Sequence, residues 1–398
     1  METPGGAETP EGAQPPGGVD EKRVTWAELY FDLVFVFAVT QVSQLLHHHH
    51  DWAGTGRALV AFAPVYWCWV GTTVQANVRD VDTPRDRIGI FGVGLCGLFM
   101  ALALPGAYGD GARGLLFGAG YWAARLVLLW LVRGIRRVWL GPYGVGVAVS
   151  GPLVLLGGMT DGPARTALWA AGAACDLVAP LVFRRRLAAV TYHPGHLPER
   201  FGLFLLVALG ESIVGIGGPV AGSDLHTGRL LSVAVAFAIS CALWWLYFGF
   251  ASDAMRFAVE TAASRRDMIR WVFSYGHLLL IAGVIAVAVG FGETVAEPGH
   301  ALGLGTVALL YGGCVLYLLS FSYTRWMMFG KVSPTRLGAA GLVLVLLPLM
   351  PHLPALTALT ALAVVLVGLN GVEHVRVRRD RARAGAETEA EPEAALQV

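Results

Sequence analysis

Hydrophobic residues run along the chain in long blocks separated by short polar connections. Twelve blocks stand out, near 26–46, 57–78, 88–106, 113–132, 140–159, 164–183, 200–219, 229–252, 269–291, 301–324, 335–350 and 354–372. Most approach the roughly 20 apolar residues that a helix needs to cross a bilayer. The pattern predicts an all-α polytopic membrane protein of about twelve transmembrane helices over 22–375. Residues 1–21, with repeated Pro, Gly and Glu, predict a segment without fixed structure, and 376–398 a tail that turns from basic to acidic. No apolar signal-peptide core precedes the first block, so that block is expected to act as an uncleaved anchor. Block 140–159 is the weakest, interrupted by Pro152 and several glycines, and the last two blocks also fit one helix kinked at Pro351 and Pro354.

The first block carries polar residues that lipid does not tolerate. At about 100° per residue, Glu28, Asp32, Val39 and Ser43 share one helix face, with Thr40 beside it and Gln41 roughly opposite. A charge at the bilayer centre costs about 2.5–3.5 kcal/mol on insertion scales, so this face must look at other helices or a wet cavity. Either it lines a pathway, or Glu28 and Asp32 sit near the aqueous entry and pin the helix to its neighbours.

Composition agrees with the block pattern. The chain has 398 residues, 55% hydrophobic and 14% charged, with mean hydropathy +0.59, against about 25% charged in soluble domains. Its 51 glycines suit close helix approach in membranes. Of the 29 Lys and Arg, 24 fall in the terminal flanks and the even-numbered connections, four in the odd ones, and Arg125 inside a block. That bias predicts an even helix number with both termini cytoplasmic. A net charge of +1 and the absence of a basic reading helix exclude nucleic acid as a partner. Membrane lipids are the expected surroundings. The five cysteines lie singly in apolar blocks and imply neither disulfide nor metal framework. Four adjacent histidines, His47 to His50, read as a solvated loop, because consecutive side chains do not hold one tetrahedral site.

The seventh block echoes the first. Laying Glu28 on Glu199 puts Thr40 and Gln41 on Glu211 and Ser212, and Trp67-Cys68-Trp69 with Asn77 echoes Trp244-Trp245 with Asp253. Two six-helix halves, 22–190 and 191–375, related by a pseudo-two-fold axis along the membrane normal, would produce that echo. The strings Glu28-Leu29-Tyr30-Phe31-Asp32-Leu33-Val34-Phe35-Val36-Phe37-Ala38-Val39-Thr40-Gln41, Pro198-Glu199-Arg200-Phe201-Gly202-Leu203-Phe204 and Leu209-Gly210-Glu211-Ser212 resemble the bacterial low-temperature-requirement A (LtrA) family over about 22–375. The resemblance implies a multi-pass membrane protein, linked by name to growth in the cold, and supplies little mechanism. It singles out Glu28, Phe31, Asp32, Thr40, Gln41, Glu199, Arg200, Gly210, Glu211 and Ser212.

Glu211 is the leading candidate, about eleven residues into its block and so near the midplane at about 1.5 Å per residue. It is either the centre of a proton or cation site, or a hydrogen-bonded structural carboxyl. Arg125, Asp176 and Asp32 are expected at similar depth and predict an ion pair or triad, as a helix clamp or as an exchangeable site. His277 is a proton-relay candidate or a packing histidine. Asp253, near a block end, is weaker. No Walker loop, GxGxxG, GxSxG or HExxH occurs, and no cofactor is implied. The pattern points to a secondary, proton- or cation-coupled transporter of a small solute. The alternatives are an intramembrane enzyme acting on lipid-like substrates and a non-catalytic membrane protein supporting cold adaptation.

Overall fold

The computed structural model describes residues 22–47, 51–79, 81–133, 140–190, 192–262 and 264–395. Among these the chain is helical, without strands apart from one isolated bridge between Ala301 and Pro354. The first four helices are α1 (Trp26–His47), α2 (Trp52–Val78), α3 (Pro84–Ala103) and α4 (Gly111–Leu131). Side chains at their heads explain where they begin. Thr25 and Glu28 cap α1 reciprocally: Thr25 N donates to Glu28 Oε2 at 2.9 Å and Glu28 N to Thr25 Oγ1 at 3.4 Å. Asp51, Thr83 and Asp110 accept from backbone N–H groups at the heads of α2, α3 and α4.

The next helix, α5 (Pro142–Gly158), widens to i→i+5 spacing over Gly146–Ser150. Pro152 follows directly and has no N–H to give the preceding turn. Then come α6 (Gly162–Val182), α7 (His196–Gly217), α8 (Thr227–Phe248) and the short α9 (Ser252–Thr261). A further helix, α10, joins Arg265–Met268, a second wide stretch at Ile269–Gly276, and His277–Ala296. The chain ends in α11 (Leu304–Phe329), α12 (Pro334–Leu346, tightening over Leu347–His352) and α13 (Ala355–Ala395). The last two expected blocks are therefore two helices. The acidic tail, where composition predicts no fixed structure, continues α13, in keeping with the helix propensity of Ala, Glu and Arg.

Among the described residues, nine helical segments are long and apolar enough to cross a membrane: α1, α3, α4, α7, α8 with α9, α10, α11, α12 and α13. The remaining three expected blocks hold α2, α5 and α6. Of these α5 is short, while α2 and α6 are long but diluted by Gly, Pro and polar residues.

The helices pack in an order that recurs. α1 packs on α2 and α3, α3 on α4, α4 on α5, α5 on α6, and α6 returns to α2. Further on, α7 packs on α8 and α10, α10 on α11, α11 on α12, α12 on α13, and α13 returns to α8. The two sets meet where α1 lies against α7. Small residues set the closest approaches. A Cβ on Gly283 would stand 2.8 Å from the Gly313 carbonyl oxygen, and one on Gly313 as close to that of Gly283. The tryptophan echo is unequal: Trp67 and Trp69 are buried, whereas Trp244 and Trp245 are exposed. Its polar ends differ too, since Asn77 is buried and Asp253 lies exposed on α9.

Candidate functional site

The first turns of α1 and α7 bring charges together. Arg200 donates through both terminal nitrogens to Asp32, at 2.7 and 2.9 Å, and its Nε lies 3.7 Å from Glu28 Oε1. The Trp69 indole N–H from α2 donates to Asp32 Oδ1 at 2.8 Å. His196 Nε2 lies 3.0 Å from Glu28 Oε1, and its Nδ1 faces the Asn77 amide nitrogen at 3.4 Å. One imidazole tautomer serves both contacts, with the proton on Nε2. Asn77 itself is fixed by His193, whose N–H it accepts at 3.1 Å and whose carbonyl it donates to at 2.9 Å. Outside the spans, desolvation and the nearby Lys22 hold the His193 ring below its ordinary pKa. Glu28, Asp32, Asn77, His196 and Arg200 are all buried. Fork-to-carboxylate geometry of this kind is the strong form of ion pair, and it offsets the cost of placing both charges away from water.

Farther along the same helices, Glu211 meets α1 again. Thr40 Oγ1 donates to Glu211 Oε2 at 2.6 Å, and Ser43 adds a second hydroxyl. The sequence separations across the helix pair stay nearly constant, 168 residues for Arg200–Asp32 and 171 for Glu211–Thr40. Hence α1 and α7 run parallel. Arg200 and Glu211 are about 16 Å apart along the axis at about 1.5 Å per residue. Aromatic rings fill the interval: Trp69 stacks on Phe204 at 4.1 Å, and Phe35 meets the same ring edge-on at 6.5 Å. Glu211 is only 6% exposed. Its hydroxyl partners thus close around it in this conformation.

A family model described as bacterial low temperature requirement A protein (LtrA) matches residues 23–370. The chain belongs to the LtrA family. A relative of this LtrA protein, the uncharacterized protein RA0937 of Rhizobium meliloti (strain 1021), is 29% identical over 325 residues, covering 77% of this chain and 78% of that protein. No solved structure matches the chain. Of the LtrA string residues, Glu28, Asp32, Arg200, Thr40 and Glu211 form the α1–α7 contacts, and Phe31 packs beside them against Phe35 at 4.8 Å. Ser212 is buried with its hydroxyl unpartnered. Gln41 is buried although it lies roughly opposite Asp32, because α1 is covered on more than one side. Glu199 points outward and lines an open cleft with Asp253 and Arg256, away from the buried cluster.

The expected triad divides in two. Arg125 pairs with Asp176 at 2.8 Å, joined by the Tyr121 hydroxyl, linking α4 to α6. Asp32 does not join them, because Arg200 engages both of its oxygens. His277 is a buried link between α10 and α8, with Nδ1 3.1 Å from the Val272 carbonyl and Nε2 2.8 Å from the Tyr247 hydroxyl. Nδ1 faces an acceptor and so carries the proton, which leaves Nε2 to accept from Tyr247. His48, His49 and His50 lie outside the described residues. Sequence reasoning missed His196, Trp69 and Asn77 as members of the cluster and counted Arg200 as a flank charge.

Proposed function

We propose that this LtrA protein is a secondary transporter, coupled to a proton or cation and moving a small solute across the bacterial cytoplasmic membrane. In this reading twelve helices form two six-helix halves with α1 and α7 beside a common axis, and both termini are cytoplasmic. The observation that carries it is Glu211: a carboxyl deep in an apolar helix, buried at the α1–α7 contact with hydroxyl partners. An ionised carboxylate there lacks a counter-charge within hydrogen-bonding reach among the described residues, so a proton or a bound cation supplies it.

The recurring order of helix neighbours supports two halves. So does the register, since Thr40 and Glu211 are equivalent in the sequence echo and touch in space. A two-fold axis running between two parallel helices brings equivalent residues together in this way. The aromatic layer at Phe35, Trp69 and Phe204 then separates the coupling carboxyl from the Arg200 cluster in a closed state. Opening would part the two halves at α1 and α7.

The closed hydrogen bonds of Glu211 favour one competing role, a structural clamp between α1 and α7. Proteoliposomes loaded with a pH dye separate the two. A transporter gives proton or cation flux under an imposed gradient, and Glu211→Gln abolishes that flux while the unfolding midpoint holds. No flux from the native chain, together with a lowered midpoint for Glu211→Gln, overturns transport in favour of the clamp.

A further inference from the structure

A second polar centre lies away from α7, at the end of the bundle where α2, α4 and α6 finish and α5 and α10 begin. Residues Trp67, Val70, Gly71, Val74, Gln75 and Val78 form one face of α2 at helical spacing and line a cavity there. Its volume is about 90 Å³, room for roughly six waters at about 15 Å³ each. The walls are largely apolar, yet four guanidinium groups reach them: Arg79, Arg125, Arg266 and Arg270. Asp176 pairs with Arg125 at 2.8 Å, and Asp267 lies 2.5 Å from Arg270 and 3.6 Å from Arg266. Four cations against two anions leave a local excess of two positive charges.

Some polar atoms of the lining residues lack partners, although the terminal nitrogens of Arg79, Arg266 and Arg270 donate to the carbonyls of Leu131, Arg184 and Pro180. Both side-chain atoms of Gln75, which is 2% exposed, make no hydrogen bond, and neither does Nε of Arg125, Arg266 or Arg270. Buried polar groups are normally paired, and leaving one unpaired costs about 1–3 kcal/mol. Gln75 and the three arginines line one cavity, and an occupant reached by small side-chain rotations would supply the missing partners. One wide helical turn borders the space, Ile269–Gly276, which contributes Ile269, Arg270 and Ser274, while the other, Gly146–Ser150, packs its Gly146 against the lining residue Arg125. Such turns recur at functional sites. The Tyr192 phenol, outside the spans, is pushed up to about 12 by burial and adds a neutral hydroxyl to the wall.

We infer that this cavity binds a phosphate monoester carried on a short apolar body, the dianion among Arg266, Arg270 and Gln75 and the apolar part along Trp67 and Val74. Two charges match the local excess, and the apolar walls exclude a bare hydrated ion. The site does not depend on the transport reading, because Glu211 does not line it. The source is a lipid headgroup or a soluble ester, and short-chain phosphatidate and phenyl phosphate stand for the two.

The test measures the unfolding midpoint of the full chain in uncharged detergent. It is titrated with dihexanoyl phosphatidate, phenyl phosphate, inorganic phosphate and, as a zwitterionic control, dihexanoyl phosphatidylcholine. A saturable rise with either organic ester, absent with phosphatidylcholine and weak with inorganic phosphate, is expected. Phosphatidate alone identifies a lipid headgroup; phenyl phosphate identifies a soluble ester. Arg270→Gln weakens the apparent Kd at least about tenfold by removing one charge-assisted contact. Should that variant fold poorly, Gln75→Leu keeps the test intact: it deletes two unpartnered atoms, so the ligand-free midpoint holds or rises while binding weakens. A midpoint that no ester moves, an equal response to inorganic phosphate, or undiminished binding in Gln75→Leu overturns the inference.

Discussion

Arg200 meets Asp32 through two terminal nitrogens, stands 3.7 Å from Glu28, and has only protein around it. Taking away one side of such a pair leaves buried charge unmatched, so Arg200→Gln should destabilise the protein by about 3–5 kcal/mol. Its neighbour supplies the control: Glu199 is exposed, and Glu199→Gln should change stability by no more than about 0.5 kcal/mol. Trp69→Phe keeps the stack on Phe204 and loses the N–H to Asp32, an intermediate loss of about 1.5–3 kcal/mol. Denaturant titration of the three variants in one detergent checks the order, and a Glu199→Gln loss equal to that of Arg200→Gln would sink the assignment. Asp32 and Glu211 could be read from the sequence because a carboxyl stands out in an apolar run. Arg200 stood out only through the family resemblance, and its pairing was not legible, since an arginine at a block edge looks like every other flank charge until α1 is seen beside it. His196 and Asn77 are polar residues at helix ends, where polarity is ordinary, and only the tertiary contact distinguishes them.

Helix α10 lies so close to α11 that Gly283 and Gly313 each face the other's carbonyl. Backbone cannot move aside as a flexible side chain can, so Gly283→Ala must push the helices apart, an overpacking cost of about 1–3 kcal/mol. On α11 the adjacent Gly312 has open space where its Cβ would go, and Gly312→Ala should be neutral or gain up to about 1 kcal/mol from helix propensity. Thermal unfolding of the pair checks this, and equal midpoints for the two variants would contradict the packing. At this scale the block pattern located every helix start but that of the short polar α9 to within about five residues, because apolarity and the capping residues Thr25, Asp51, Thr83 and Asp110 are both local signals. The wide turns in α5 and α10 were not visible. Gly146 and Ser274 are unremarkable in sequence; Pro152 marks only where α5 lacks an N–H, and what packs at the two stretches, Arg125 against Gly146 and Tyr66, which donates to the Ser274 carbonyl at 2.8 Å, is a tertiary contact.

For the molecule as a whole, lysine and arginine bias and helix packing bear on the same question from independent directions. Two of the flank arginines counted for orientation are buried in ion pairs between helices: Arg200 with Asp32, and Arg336, which binds Glu373 of α13 at 2.7 Å. Removing those two from the tally still leaves a large excess at the end holding the N-terminus, so a few structural arginines do not reverse the inferred orientation. Impermeant thiol labelling in intact cells, on a chain whose five cysteines have been replaced, tests it directly. Gly109→Cys in the connection after α3, Asp224→Cys after α7 and Gly299→Cys after α10 sit at exposed positions and should label from outside. Thr261→Cys at the end of α9 and Lys331→Cys after α11 should label only once the membrane is opened. A helix that stops short of crossing moves every later site to the opposite side, so the first site on the unexpected side brackets that helix between itself and the site before it. The short α5 is where that test bears hardest: were it not to cross, every site after it would exchange sides with those before it, and the parallel pairing of α1 with α7 would lose its place in a bilayer.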